Sequence, residues 1–481
     1  MTDKVTLRKH QEAGVEFLRR NDIAAILHAR GLGKTITVLS ELEERFRAGT
    51  VKRVLYVAPL STLENVRREA FRVAPSVFPQ MLVGGRAMRT KAIEKPGLHN
   101  MDLINYEGLR VCAETLMDAG YDAVVYDEST RIKDRDTKVS TIARMIGAKA
   151  RIRRILTGMP FTEGVEDAWA QFQFLSPTIF SDNFYSFRNR YCVMATRFIE
   201  VKVKNRFTGK GERVKRKFHE ITGYRNLDEF TDRIAGVTHY AKKEDCLDLP
   251  PKTYQVLHIP MLEDQEKRYR IVEKETFSEL DGKEITHAVA LAKIQKLRQV
   301  AAGFLYDDEH VPVQVPSAKY AELEDFIRDT LYGKEKMVVF TSFRAEPEMV
   351  EGVIAGIRKP RVRCFRLAEN PLERQPGIDQ WSQHDGAAVL VANARSGGVG
   401  LNLMAAATAV FLSNDWRMED REQAEDRVHR MGSEIHKKIL IADFVTTGTV
   451  EEDILEALQS KKNVVEIFLA KLKARMKGGD A

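Results

Sequence analysis

Cysteine is scarce: Cys112, Cys192, Cys246 and Cys364 are the only four in 481 residues, and they lie far apart with no Cys-x-x-Cys pair. That spacing offers neither a zinc site nor a disulfide framework, and it suits a reducing cytosol. Long apolar runs are missing too. The opening Met1-Thr2-Asp3-Lys4-Val5-Thr6-Leu7 lacks the apolar segment of a signal peptide, and no stretch is long enough to cross a bilayer, so a soluble, unexported protein with no membrane partner is expected. No solenoid-period repeat or low-complexity tract is present, and only the end after Lys471 reads as frayed. Charge is not strongly one-sided: 76 Lys and Arg against 69 Asp and Glu leave +7. That modest excess favours a polyanionic partner such as nucleic acid without establishing one.

What the chain does have is length and a strand-helix rhythm. Its 481 residues exceed a single core and suit two α/β domains. Apolar runs at Ala24 to Leu27, Val54 to Ala58, Ala123 to Tyr126 and Ile152 to Leu156 read as buried parallel strands, each leading into polar or Gly-containing turns. The rhythm lapses from about Pro177 to Pro316 and resumes with Met337 to Thr341, Val362 to Arg366, Ala388 to Ala392 and Ala409 to Leu412. The predicted fold class is α/β, with parallel-sheet lobes over 1–176 and 317–481 and a mainly helical insertion and linker over 177–316. Within that insertion, residues 197–221 alternate, pause at Thr208-Gly209-Lys210-Gly211 and alternate again, which predicts a β-hairpin with a basic face. Its cations, Lys215 and Arg216 among them, suit contact with nucleic-acid phosphates. A solvated edge hairpin kept from aggregating by its lysines is the plainer alternative.

The first strand runs into Gly31-Leu32-Gly33-Lys34-Thr35. Glycines let backbone N–H groups approach phosphates, Lys34 neutralises the β- and γ-phosphates, and Thr35 can hold Mg²⁺. A motif so short can also be a glycine-rich turn capping a helix. The pair Asp127-Glu128 at the end of another apolar strand weighs against that, because doubly wound sheets place ligands beyond the carboxyl ends of their strands. There one carboxylate can hold Mg²⁺ while its neighbour orients and deprotonates an attacking water. An acidic pair is otherwise usually a solvated helix start.

Nearly four hundred residues beyond the loop comes Gln423-Ala424-Glu425-Asp426-Arg427-Val428-His429-Arg430-Met431-Gly432. Arg427 and Arg430 are three apart, so one helical face can present both. Guanidinium groups suit the charge that spreads over the γ-phosphoryl oxygens in the transition state; a solvated basic face is the alternative. A nucleotide site drawn from both ends of a chain can open and close as ATP is bound and split, so the pattern reads as a motor.

Further segments follow in a fixed order: Leu7-Arg8-Lys9-His10-Gln11, Leu55 to Ser61, Leu103-Ile104-Asn105-Tyr106-Glu107, Leu156-Thr157-Gly158-Met159-Pro160-Phe161, Trp169 to Leu175, Asp248 to Lys252, Lys296-Leu297-Arg298-Gln299, Val338 to Phe343, Asn393 to Leu403 and Asp415-Trp416. Together with the loop, the acidic pair and the arginine box, the chain resembles the Swi/Snf-type DNA-translocating ATPases of helicase superfamily two over nearly its whole length. The resemblance implies two RecA-like lobes, ATP and Mg²⁺ as cofactors, and double-stranded DNA as the partner. It makes Gln11 an adenine contact, places Gly31, Gly33 and Gly400 with the nucleotide, and assigns Lys34, Asp127, Glu128, Gln423, Arg427 and Arg430 to hydrolysis. It also places Ser61, Tyr106, Ser342, Arg395, Gly398 and Trp416 against DNA, although composition alone makes Trp416 a core or interface anchor. Departures are local: His28-Ala29-Arg30 stands where acidic residues are usual, Thr130 where His is common, and Ser433 where Gln is frequent. The Thr130 hydroxyl is a substitute hydrogen-bonding group.

The expected activity is DNA-stimulated ATP hydrolysis without sequence specificity, since a grip on phosphates carries no sequence information. The resemblance implies tracking along duplex without wholesale strand separation, in replication, recombination, repair or protein displacement in a bacterial or viral host cytosol. The lobes, middle and C-terminal helices occupy the whole chain, so a histone-reading, nuclease or zinc module and a role in nucleosome remodelling are not expected. Two alternatives stand beside this: a strand-separating helicase of the same superfamily, and a DNA-binding scaffold that uses ATP only as a structural ligand. Intact Lys34, Glu128, Arg427 and Arg430 argue against the scaffold.

Overall fold

A computed structural model describes residues 6–158, 161, 164–204, 211–246, 248–278, 287–307, 309–397, 401–430 and 432–460. The chain divides into two compact units, Met1–Cys246 and Leu247–Ala481. Gly398, Gly400 and the end expected to fray lie outside the described residues, and of Lys215 and Arg216 only the backbone is described.

The first unit is built on β1 (Ile23–His28), β2 (Val54–Val57), β3 (Pro79–Met81), β4 (Met101–Ile104), β5 (Ala123–Asp127), β6 (Ile152–Leu156) and a later strand, β9 (Thr238–Ala241). They form one sheet in the order β3-β4-β2-β5-β6-β1-β9, and every pairing in it is parallel. Covered on both faces, β2, β4 and β5 are buried at every position, which is why they appear in the sequence as unbroken apolar runs. Between β6 and β9 come the long antiparallel partners β7 (Cys192–Lys204) and β8 (Gly211–Tyr224). The hairpin predicted over 197–221 is therefore present in the backbone and longer than expected.

The second unit holds β10 (Lys252–Ile259), a small antiparallel pair β11 (Phe304–Tyr306) and β12 (Pro312–Gln314), then β13 (Lys336–Thr341), β14 (Arg363–Arg366), β15 (Ala388–Asn393), β16 (Thr408–Phe411) and β17 (Ile439–Thr446). Its main sheet runs β10-β17-β16-β13-β15-β14, again all parallel. Both expected parallel-sheet lobes are thus present.

The span 177–316 departs from the expected insertion. β9 extends the first sheet beside β1, from Ala25 opposite Thr238 to His28 opposite Ala241, whereas β10 pairs with β17 along its whole length in the second. The division between units accordingly falls at 246/247 and not at 176 and 317. The open edges of the two sheets each recruit backbone from the middle of the chain, so hydrogen bonding assigns this span to both units.

Beneath the first sheet, Arg154 on β6 is fully enclosed, with Glu41 of helix Lys34–Arg47 as its ionic partner at 3.0 Å. Its guanidinium also donates to the carbonyls of Leu18 at 3.0 Å and Asp22 at 2.7 Å. Removing the guanidinium leaves Glu41 with Arg45 as its ionic partner and takes a donor from the Leu18 and Asp22 carbonyls, so Arg154→Met is expected to lower stability by about 1–3 kcal/mol, read as a fall in the urea midpoint. A loss below about 1 kcal/mol, the size of an exposed pair, would show that the charge escapes to water.

Candidate functional site

In the first unit the carboxyl ends of β1, β2, β5 and β6 share one edge of the sheet, and the predicted nucleotide residues come from them. β1 leads through Gly31 (φ 84°) and Gly33 (φ 76°) into helix Lys34–Arg47. Side chains other than glycine rarely adopt those angles, and Gly33 is the residue immediately before the helix, so backbone N–H groups at a positive helix end face outward. Two side chains brace this loop from behind: His10 Nε2 lies 2.9 Å and Gln11 Nε2 3.1 Å from the Leu32 carbonyl. Gln11 is only 2% exposed, and its Oε1 accepts from Arg8 N at 2.9 Å. The structure thus places Gln11 as a brace of the phosphate loop, with both ends of its amide bonded to backbone.

Lys34, 9% exposed, donates to the His28 carbonyl at 3.1 Å. The His28 ring turns the other way, its Nε2 2.7 Å from His239 Nδ1 on β9. Burial, with His239 and Lys34 nearby, pushes the His28 imidazole down to about 3, so it is neutral where acidic residues would be ionised.

Two strands away, β5 delivers Asp127 and Glu128. The Asp127 carboxylate takes a hydrogen bond from the Tyr56 hydroxyl at 2.9 Å and one from the Glu128 N–H at 2.9 Å. Thr35 lies beside the Tyr56 hydroxyl, so that the loop threonine and the strand-end carboxylate are close together. Burial and the neighbouring Glu128 push Asp127 up to about 6, opposed by Lys34. Glu128 stands in the left-handed region at φ 52°, ψ 55°. A non-glycine residue there stores strain. Tyr56 was not singled out from the sequence; the signal was a phenol inside an apolar strand, whose hydroxyl needs a partner once buried.

The donor set suits a magnesium nucleotide. A hydroxyl, a buried carboxylate beside a second carboxylate, a lysine and outward N–H groups meet within one unit, and a cation would favour the ionised form that burial disfavours at Asp127. Thr35 and Asp127 would hold the metal, which neutralises phosphate charge when bound.

Other expectations in this unit fare differently. Ser61 is half-buried on the turn Leu60–Thr62 at the same sheet edge. Tyr106 lies inside the core. It is buried, stacks on Tyr126 with ring centroids 6.1 Å apart, and donates to the Asp127 carbonyl at 2.6 Å, so it fixes the acidic turn from inside the core. Ser129 Oγ donates to Gln171 Oε1 at 2.7 Å and ties that turn to helix Glu166–Leu175.

In the second unit the carboxyl ends of β13, β14, β15 and β16 surround a cavity of about 750 Å³. Ser342, Arg395 and Trp416, predicted against DNA, all line it, together with the exposed guanidinium groups of Arg344, Arg366 and Arg417. Trp416 also packs against the apolar cluster containing Leu297 and Ile454 and lies 4.8 Å from the Arg298 guanidinium, so it is an anchor with one edge on the cavity. Helix Met418–Val428 carries Gln423, half-buried, and Arg427, buried. It stops before Arg430, because His429 leaves helical geometry at φ −98°, ψ 81°. The single helical face expected for both arginines is therefore not formed; Arg430 follows the helix end and donates to the Leu401 carbonyl at 3.2 Å. Among the described residues no helix is long and apolar enough to cross a membrane.

Residues 10–302 match the SNF2-related domain, and residues 318–432 match the helicase conserved C-terminal domain. The chain is 26% identical to the ISWI chromatin-remodeling complex ATPase ISW1 of Saccharomyces cerevisiae over 98% of its own length and 41% of that protein. It is 24% identical to an uncharacterized ATP-dependent helicase, MG018, of Mycoplasma genitalium over 96% and 42%. The chain thus spans less than half the length of these relatives. The Sulfolobus solfataricus SWI2/SNF2 ATPase core in complex with dsDNA is 20% identical, with TM-score 0.44 over 100% of this chain and 94% of that one. Since the first family match alone takes in more than half of its residues, the chain belongs to the SNF2-related family, with a helicase conserved C-terminal domain in its second unit.

Proposed function

We propose that the protein is an ATP- and Mg²⁺-dependent translocase on double-stranded DNA, whose hydrolysis is stimulated by DNA of any sequence and serves replication, recombination, repair or protein displacement. The observation that carries this reading is the placing of each unit's charged motifs on the carboxyl edge of its own parallel sheet. Lys34, Asp127 and Glu128 gather on one, and exposed arginines ring the cavity on the other. Lys34 holds the β- and γ-phosphates, while Gln11 and His10 keep the loop in shape behind them. Glu128 takes the proton of the attacking water, and Asp127, fixed by Tyr56 and Tyr106, stays clear of that role. Arg427 and Arg430 oppose the charge that develops on the transferring group. Ser342, Arg344, Arg395 and Arg417 bind phosphates of the duplex, a grip that is blind to sequence.

Turnover measured without DNA, with single strands and with duplex tests this reading. Duplex is expected to raise the rate most; a rate indifferent to all three would remove DNA as the partner.

The hairpin β7–β8 is proposed as additional cationic track. Replacing 202–217 with a short Gly-Ser turn is expected to weaken duplex binding and flatten its salt dependence, leaving turnover without DNA nearly intact. Each lost phosphate contact removes a slope of about 0.9 in log affinity against log salt. Melting temperature and basal turnover, measured alongside, separate this from misfolding. An unchanged slope in a well-folded variant would make the hairpin a solvated decoration.

A further inference from the structure

The helix bearing Gln423 and Arg427 is fastened at Arg421, a residue that no motif singled out. Arg421 is buried, and its partners are specific. Its Nε donates to Glu425 Oε1 at 2.8 Å, Nη1 to Asn414 Oδ1 at 2.8 Å and Nη2 to Asp443 Oδ2 on β17 at 3.0 Å. Its guanidinium lies 3.5 Å from the Phe411 ring centroid at the end of β16. Asn414 completes the knot by donating from Nδ2 to Asp443 Oδ1 at 2.8 Å. Loop, helix and strand therefore meet on one amide.

The same loop is held from its other side. Arg298, also buried, donates through Nη2 to the Asn414 carbonyl at 2.7 Å and lies 4.8 Å from the ring centroids of both Phe343 and Trp416. Glu346 ties the neighbouring rim, its Oε2 accepting from Ser342 N at 3.0 Å, Phe343 N at 2.9 Å and Ser413 Oγ at 2.7 Å. The cavity rim formed by Ser342–Arg344 and Ser413–Arg417 is thus joined to the arginine-box helix through buried polar groups. None of them can swing away alone without leaving a buried donor or charge unpaired.

Apolar packing would hold a helix against a sheet at least as firmly as an enclosed arginine with two carboxylates, so stability alone does not account for this arrangement. Directed hydrogen bonds provide a fixed relation between loop and helix. We propose that Arg421, acting through Asn414, is a positioning residue that converts phosphate binding at the cavity rim into the placement of Arg427 and Arg430. The proposal rests on the DNA-stimulated ATPase reading given above. A duplex phosphate drawn to Arg417 or Arg344 displaces the Ser413–Arg417 loop, and the Asn414 amide carries that displacement to the helix.

Two variants test it. Asn414→Ala removes the amide link and leaves the Arg421–Asp443 ion pair in place, whereas Arg421→Met removes the guanidinium and is expected to lower the melting temperature. For each, basal turnover, turnover at saturating duplex and the duplex concentration giving half-stimulation are measured. Asn414→Ala is expected to keep its basal rate and half-stimulating concentration within about twofold while its stimulation at saturating duplex falls about tenfold, a usual size for site-to-site coupling. The double variant is expected to be stimulated no less than Arg421→Met alone, because members of one relay are not additive. If Arg421→Met does not fold, Asn414→Ala decides. Full stimulation of a folded Asn414→Ala at saturating duplex, even with more duplex needed to reach it, overturns the proposal, since the link would then only shape the cavity. Absence of stimulation in the unsubstituted protein would instead defeat the DNA-stimulated reading itself, an outcome distinct from a stimulated protein with an equally stimulated variant.

Discussion

Glu128→Gln is expected to bind ATP as the unsubstituted protein does and to turn it over about 10²–10⁴-fold more slowly, the usual contribution of a positioned base. The amide keeps the shape of the carboxylate and the same left-handed backbone at φ 52°, so folding and nucleotide binding are spared. What it cannot do is accept a proton. Asp127 cannot replace it, because its carboxylate already accepts from Tyr56 and the Glu128 N–H and is turned into the sheet. The variant should therefore accumulate with nucleotide and DNA bound, detectable as labelled ATP retained on the protein–duplex complex. Near-normal steady-state turnover would remove Glu128 from catalysis and shift attention to another base.

Arg430→Ala is expected to lower turnover about 10³-fold or more while changing ATP affinity little, because a group that meets developing charge acts mainly in the transition state. Its position past the end of helix Met418–Val428 makes it the more adjustable of the two arginines; Arg427 is within the helix and buried. Arg430→Lys should recover only part of the loss, since an ammonium lacks the planar fork. If the whole effect appeared as weaker ATP binding, with saturated turnover unchanged, the assignment of Arg430 would be wrong.

The central strands were legible because a strand enclosed on both faces has to be apolar throughout: Val54–Val57, Ala123–Asp127 and Ala388–Asn393 needed no other signal. Edge strands carry no such mark. Thr238–Ala241 is buried only at Ala241, and Lys252–Ile259 only at Ile259, so both disappeared into a span that read as helical. What places them is pairing with sequence-distant β1 and β17, which no local pattern encodes. Within the candidate site, the loop glycines, Lys34, Asp127 and Glu128 were singled out by type and spacing. The residues that hold them were not. Tyr56, Tyr106, Ser129 and Arg421 act through hydrogen bonds across the fold, and their identities alone do not distinguish a brace from a surface contact. Arg430 was assigned to the helix because an i to i+3 interval does not report where a helix ends.

The most direct test of the translocase reading is displacement of a labelled third strand from a triplex placed at one end of a duplex. The account requires displacement that depends on ATP, is lost in Glu128→Gln and leaves the underlying duplex paired. ATP hydrolysis stimulated by that same DNA, with the third strand remaining bound, would contradict it.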